Sequence, residues 1–138
     1  MRIAKSLTLI IICLAFVSCA GNKYQTMYGI TSWTYMNHVS LQAQYDTATP
    51  EEQEWFKKNV NPYMNMLKQA VLAMDAIEND NVIKASGCAT KITEIALGIK
   101  YDATKLTQAI LNKDYNTLLA EALVLKTLII NKISERGK

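Results

Sequence analysis

Few residues of this 138-residue chain could carry out acid–base, redox or metal chemistry. It contains one histidine, His38, and three cysteines, Cys13, Cys19 and Cys88. His38 belongs to no zinc-protease, di-iron or haem-attachment motif, each of which needs further ligands at fixed spacing. The chain also has no Gly-x-Ser-x-Gly nucleophile turn and no phosphate-binding glycine loop. We therefore predict that it is not an enzyme and has no catalytic, cofactor-binding or metal-binding residue.

Three local groups of residues have both a chemical and a structural interpretation. His38 has no acidic residue beside it in the sequence, which favours a partly exposed helix histidine over an acid–base group. Cys88 lies in the small-residue run ASGCAT, which favours a buried helix contact over a reactive thiol. Residues 75–81, DAIENDN, carry oxygen ligands suited to calcium, but their spacing fits no calcium-binding loop. We expect structural roles for all three, with calcium binding as the alternative for residues 75–81.

The cysteine at position 19 ends a segment that has the layout of a signal peptide. Two basic residues come first, an apolar run follows over residues 7–17, and the small residue Ser18 precedes Cys19. A transmembrane helix needs about 20 apolar residues, roughly twice the length of this run. We predict a signal peptide over residues 1–18 rather than a permanent membrane span.

The last four residues of this segment, Phe16-Val17-Ser18-Cys19, resemble the lipobox of bacterial lipoproteins. In that family a branched residue or Leu, a tolerant position and a small residue precede an obligatory cysteine. Phe16 departs from the usual Leu, and Cys13 is a poor competitor because a large residue precedes it. The resemblance implies that the Cys19 thiol is joined to diacylglycerol, that cleavage occurs just before Cys19, and that its new amino group is acylated with a fatty acid such as palmitate. An ordinary secretory signal and an N-terminal membrane anchor are the alternatives.

Removal of residues 1–18 would leave about 120 residues, which suits one domain. We divide them into a lipidated tether over residues 19–23 and a helical domain over residues 24–138. The whole chain has 15 basic and 12 acidic residues, and the mature chain would keep 13 basic ones, which gives a formal charge of +1. No basic stripe remains, so we expect no nucleic-acid partner. Because Cys88 would be the one free thiol, the domain must fold without an internal disulfide.

Composition and local start signals predict an all-α domain. It has few glycines, two prolines and many Ala, Leu, Ile, Lys and Met residues. We expect helix A over about residues 24–48. Helix B begins at Pro50, where Thr49 caps the first turn and an acidic residue three positions later completes a capping box. Pro62 then either kinks helix B or starts a fresh helix capped by Asn61.

Two further helices complete the expected fold. Helix C spans about residues 82–112, with one apolar stripe and a bend near Gly98. Helix D follows the cap Asp114 and runs to about residue 135. Its apolar stripe comprises Leu118, Leu119, Ala122, Leu125, Ile129 and Ile133. Because short turns join long helices, we predict an antiparallel up-and-down bundle of about four helices.

Helix A carries the candidate partner-binding residues. Four tyrosines are predicted to share one side of it: Tyr24, Tyr28, Tyr35 and Tyr45. Tyrosine is favoured in protein interfaces, so we predict a contact surface on this side. Helix A has apolar residues on more than one side, so burial of the same tyrosines in the core is the alternative.

These observations predict a lipid-anchored cell-envelope protein that has a non-enzymatic binding or structural role and a protein partner in the envelope. The alternative is an inhibitor or exclusion lipoprotein, encoded by a phage or mobile element, that acts on an envelope protein. An enzyme accessory or small hydrolase is a third interpretation. In enteric-type cells an Asp after the lipidated cysteine signals inner-membrane retention, and here Ala20 occupies that position. We therefore expect the outer membrane if the host has two, and no cofactor.

Overall fold

The computed structural model describes residues 23–136, with side chains from Met27 onward. These residues form six α-helices and no β-strand. The helices are α1 (Lys23–Thr47), α2 (Pro50–Asn59), α3 (Asn61–Glu78), α4 (Val82–Ile99), α5 (Thr104–Leu111) and α6 (Tyr115–Arg136). The predicted all-α class is thus confirmed for the described residues. The predicted signal peptide and Cys19 lie outside them.

Two helix starts follow the predicted caps. The backbone N–H of Glu52 donates to Thr49 Oγ1 over 3.3 Å, and Pro50 takes the first helical position, where no N–H is needed. At the start of α6, the backbone N–H of Thr117 donates to Asp114 Oδ1 over 3.3 Å, and its hydroxyl donates to Asp114 Oδ2 over 2.7 Å. Both predicted caps are confirmed. A cap involves only residues of the first helical turn, so it can be predicted from the local sequence.

Helix B is two helices rather than one kinked helix. The chain breaks at Val60, whose φ of −123° and ψ of −55° leave the helical geometry, and α3 begins one residue later. Pro62 lies in the first turn of α3, where its missing N–H breaks no helical hydrogen bond. The predicted alternative of a fresh helix is therefore the better one, although Asn61 is its first helical residue and not its cap.

Helix C is also two helices. Lys100 adopts the left-handed conformation, with φ 55°, and ends α4. The backbone N–H of Tyr101 then donates to the Ala96 carbonyl over 2.9 Å, a bond that closes the helix terminus. The break falls two residues after Gly98, the position near which a bend was expected, and Gly98 itself belongs to the last turn of α4. After the break, α5 folds back along α4.

This extra reversal changes the direction of the last helix. Tyr115, at the start of α6, donates its hydroxyl to the sulfur of Met27, near the start of α1. Farther along, Lys126 of α6 lies over the ring of Trp33. Contacts therefore follow the same order along both helices, and α6 runs parallel to α1. Residues 23–136 thus form six helices rather than the predicted four or so alternating ones, and α1 and α6 are parallel.

The core forms around α3, which packs against α4 and α6 most extensively and also against α1, α2 and α5. The predicted apolar stripe of helix D is buried throughout. Alanines of α3, α4 and α6 lie in the core and let these helices approach closely: Ala70, Ala73, Ala76, Ala85, Ala89, Ala96 and Ala122. The first helix, α1, lies on this core with one side facing outward.

Candidate interaction surface on the first helix

One side of α1 faces the core. Its buried residues recur every three or four positions, as a helix that packs on one side requires. They are Ile30, Trp33, Thr34, Asn37 and Leu41. The opposite side is therefore left to solvent, and it is the side on which functional residues have to be sought.

The outward side of α1 is unusually apolar. Tyr35 and Val39 follow Tyr28 by seven and eleven residues, close to two and three full helical turns, so the three side chains are aligned. Tyr28 is 74% exposed, Tyr35 47% and Val39 68%, and the adjacent Met36 is exposed as well. We call these four residues the outer stripe. Single exposed apolar side chains are ordinary, but three aligned ones with a fourth beside them on one helix are typical of a contact surface.

The predicted tyrosines divide into different environments. Tyr28 and Tyr35 are exposed, which contradicts the core alternative for these two residues. Tyr45 is half-buried, and its ring packs edge-to-face on Phe56 of α2 with 6.5 Å between centres. The side chain of Tyr24 lies outside the described residues.

Sequence reasoning missed part of this surface. The predicted contact surface comprised tyrosines alone, yet Met36 and Val39 are also exposed and extend it. A signal for them was present, because no Asp, Glu, Lys or Arg occurs between Lys23 and Asp46. A solvated helix side normally carries charges, so their absence over more than five turns indicates that α1 is suited to apolar contacts on two sides.

A groove adjoins the outer stripe where α1 passes α3. Its volume is about 230 Å³. The walls are Met27, Tyr28, Thr31 and Tyr35 from α1, and Val71, Leu72, Met74, Asp75 and Glu78 from α3. We call this feature the open groove. It is apolar along most of its length and acidic at the end of α3.

The two carboxylates of the open groove are weakly engaged by the rest of the chain. Asp75 Oδ1 accepts a hydrogen bond from Asn79 Nδ2 over 3.2 Å, and Asp75 Oδ2 lies 3.8 Å from Lys84 Nζ, at the outer limit of an ion pair. Glu78 is exposed and forms no ion pair with any residue in the range 27–136. No basic side chain from this range lines the groove.

At the opposite end of α1, a cation covers an aromatic cluster. The guanidinium carbon of Arg136 lies 4.7 Å from the ring centre of Trp55 and 4.9 Å from that of Phe56. Nη2 of Arg136 lies 3.0 Å from Glu52 Oε2. We call Tyr45, Glu52, Trp55, Phe56 and Arg136 the closed end.

Between the two ends, α1 meets α6 through a polar contact. Lys126 is only 6% exposed, and its Nζ lies 5.7 Å from the ring centre of Trp33. Burial lowers the pKa of Lys126 to about 8, and no carboxylate of residues 23–136 pairs with it. The indole N–H of Trp33 is buried and has no hydrogen-bond partner within the same range. The side-chain amide of Asn37 donates a hydrogen bond to the backbone carbonyl of Trp33 over 2.8 Å.

His38 and Cys88, the other residues that could take part in a reaction, have surroundings that indicate structural roles. His38 lies with its Nε2 3.4 Å from Lys68 Nζ, and burial followed by the Lys68 charge lowers the pKa of His38. The small polar cavity beside it, of about 100 Å³, has no carboxylate among its walls. Cys88 is buried, which raises the pKa of its thiol and keeps it in the unreactive form.

The acidic segment at residues 75–81 forms the end of α3 and the turn after it. Asn81 caps α4 by accepting the backbone N–H of Lys84 over 3.1 Å. Across residues 23–136, no three His, Cys, Asp or Glu side chains come together as metal ligands would.

No helix among residues 23–136 combines the length and the apolar character that crossing a membrane requires. No protein-family model matches this chain, and comparison with curated proteins and with solved structures gives no match.

Proposed function

We propose that this chain is a lipid-anchored cell-envelope protein that binds an envelope protein through the outer stripe of α1 and has no enzymatic role. One observation carries the proposal: the outward side of α1 is apolar and uncharged from Tyr28 to Val39, and this helix follows the predicted lipidation site directly in the sequence. A surface of this kind gains free energy when a partner covers it.

The composition of the outer stripe favours a protein partner. Tyrosine and methionine are enriched in protein interfaces, whereas Lys, Glu and Asp are depleted. Helices that lie on a membrane surface usually carry Lys or Arg along their polar side, and α1 has neither between Lys23 and Asp46. A protein surface therefore fits the stripe better than a lipid surface does.

In this proposal the outer stripe operates close to the membrane. Four residue steps separate Cys19 from Lys23, a span of about 14 Å even when fully extended. Two or three acyl chains on Cys19 would anchor the chain stably, because each buried methylene contributes about 0.8 kcal/mol. The partner would then be an envelope protein, reached within a short distance of the bilayer.

The anchor is tested by fatty-acid labelling in cells. Cys19→Ala is expected to abolish labelling and to leave an uncleaved precursor, because both steps need the cysteine thiol. Cys13→Ala is the matched control and is expected to change neither result. Normal labelling of the Cys19→Ala protein would contradict the proposed anchor.

The binding role is tested by chemical crosslinking in intact cells, followed by mass spectrometry of the captured protein. The double variant Tyr28→Ala with Tyr35→Ala is expected to reduce capture at least about tenfold, because large exposed aromatic residues dominate interface energies. The matched control replaces two exposed apolar residues of α4, Ile83→Ala with Leu97→Ala, and is expected to leave capture unchanged. Equal losses in the two variants, with normal helicity in both, would contradict a role of the outer stripe.

A further inference from the structure

We propose that the open groove receives a segment of the partner protein that carries a Lys or Arg side chain next to apolar side chains, with the cation placed at Asp75 and Glu78. This inference rests on the proposed binding function and adds the chemistry of the partner. It is argued from the charge of the groove and from an equivalent arrangement inside the same molecule.

The equivalent arrangement is the closed end. There the planar guanidinium of Arg136 stacks on Trp55 and Phe56 while Glu52 neutralises its charge at 3.0 Å. Aromatic rings and a carboxylate thus form a receptor for a cation, and α6 provides that cation from within the chain.

The open groove contains the same two components. Tyr28 and Tyr35 provide aromatic rings, and Asp75 and Glu78 provide carboxylates at the end of α3. No cation among residues 27–136 lines the groove. A cation from a partner would therefore complete it, as Arg136 completes the closed end.

Lys84 pairs with one carboxylate of the groove but does not line the groove. Lys84 approaches Asp75 only to 3.8 Å, its side chain is 45% exposed, and it belongs to α4 rather than to a wall of the groove. Such an exposed pair contributes little to stability, so exchanging it for a partner's cation costs little. Glu78 has no competing ion pair among the described residues.

The apolar walls define the rest of the segment. Met27, Val71, Leu72 and Met74 leave a volume of about 230 Å³ that apolar side chains can fill. Methionine side chains adapt to different shapes, which suits a groove that binds an amphipathic segment. The segment must therefore present apolar side chains along the groove and a basic one at its acidic end.

The test uses two synthetic amphipathic helices as probes, one of Leu and Lys and one of Leu and Glu, with matched lengths. The full chain is held in phosphatidylcholine nanodiscs, empty nanodiscs serve as the blank, and binding is followed by fluorescence anisotropy of the labelled peptides. The Leu/Lys helix is expected to bind at least about tenfold more tightly than the Leu/Glu helix. Raising the salt concentration is expected to weaken only the Leu/Lys binding.

Charge-removing variants test whether the preference for the Leu/Lys helix arises at Asp75 and Glu78. Asp75→Asn with Glu78→Gln is expected to raise the Kd of the Leu/Lys helix about three- to tenfold. Glu94→Gln with Glu135→Gln removes two exposed charges outside the groove and is expected to leave that Kd unchanged. Circular dichroism of both variants checks that their helicity is intact.

Three results would overturn the inference: equal binding of the two probes, equal weakening by the two variant pairs, or no binding of the Leu/Lys helix to the wild-type chain. If capture in cells still depends on Tyr28 and Tyr35, such a result contradicts only the proposal of a basic partner segment, and the proposed binding function is retained. If that dependence is lost as well, both proposals fail.

Discussion

The two ends of α1 contain similar side chains but differ in whether a cation covers them. At the closed end, Arg136 lies over Trp55 and Phe56 and pairs with Glu52. At the open groove, tyrosine rings and two carboxylates line one cavity, and no cation from residues 27–136 covers them. The two regions therefore differ in one respect: a cation covers the aromatic rings at the closed end, and the rings of the open groove stay exposed.

The difference indicates which aromatic residues stabilise the fold and which remain for binding. Residues of the closed end are shared between α1, α2 and α6, so they tie the last helix to the first two. The exposed rings of the outer stripe contribute little to the fold, because folding removes little of their surface from water. A residue type alone does not distinguish these roles, since both regions are aromatic.

The largest expected effect compares one aromatic residue from each region. Phe56→Ala is expected to lower the free energy of unfolding by about 3–5 kcal/mol, because Phe56 is 3% exposed and its removal leaves a cavity. Tyr28→Ala is expected to change it by less than about 0.5 kcal/mol. Urea unfolding followed by circular dichroism measures both. Similar losses would show that the outer stripe belongs to the core.

A second comparison concerns the buried cation that has no carboxylate. Lys126 lies over Trp33 much as Arg136 lies over Trp55, but burial of its unpaired charge is unfavourable. Lys126→Met is expected to raise the free energy of unfolding at pH 7 by about 1–3 kcal/mol. Lys132→Met, at a partly exposed position of the same helix, is the control and is expected to have a small effect.

The gain from Lys126→Met is expected to depend on pH. The folded pKa of about 8 lies below the unfolded value of 10.5, so below pH 8 both states of the wild type are protonated and the burial cost is fully present. Between pH 8 and 10.5 the unfolded state binds more protons than the folded state, so this contribution to wild-type stability rises with pH. The difference between variant and wild type should narrow over that range. A constant difference would contradict an unpaired buried amine at position 126.

A smaller effect is expected when the cation of the closed end is removed. Arg136→Ala loses the contact with Glu52 and the stacking on two rings, and should lower stability by about 1–2 kcal/mol. Arg136→Lys keeps the charge but not the planar group, so an intermediate loss is expected. No loss in either variant would mean that the closed end does not hold α6.

The smallest effect concerns the turn after α4, where the ring of Tyr101 lies 6.0 Å from that of Tyr63. Lys100 is left-handed there, a conformation that glycine adopts without steric cost. Lys100→Gly is expected to raise stability by about 0.5–1 kcal/mol, whereas Gly98→Ala, inside α4, should raise it through helix propensity alone. A loss of stability in Lys100→Gly would contradict the left-handed end of α4.

The sequence was informative wherever structure depends on neighbouring residues. Thr49 and Asp114 act within one helical turn, so their caps were predictable. The apolar stripe of α6 was predictable because its period reports the buried side. The break at Lys100 was not, because a lysine in a left-handed turn gives no glycine signal, and this one reversal decides the direction of α6.

The features of the candidate site also fall into those that the sequence predicts and those that depend on tertiary contacts. The exposure of Tyr28 and Tyr35 agrees with their helical alignment, but the partial burial of Tyr45 depends on Phe56 of another helix. The α3 wall of the open groove and the burial of Lys126 arise from contacts between helices distant in sequence. Such features need the tertiary structure, because the usual expectation for a lysine is exposure.

The most direct test of the account places a photoreactive amino acid at Tyr35, in the open groove, or at Lys58, an exposed position of α2 next to the closed end, in the full chain in intact cells. Irradiation is expected to join position 35, but not position 58, to an envelope protein, and the product should disappear when Tyr28→Ala is added. Products of equal yield at the two positions, or a product at position 58 alone, would contradict the claim that the open side of α1 is the binding surface.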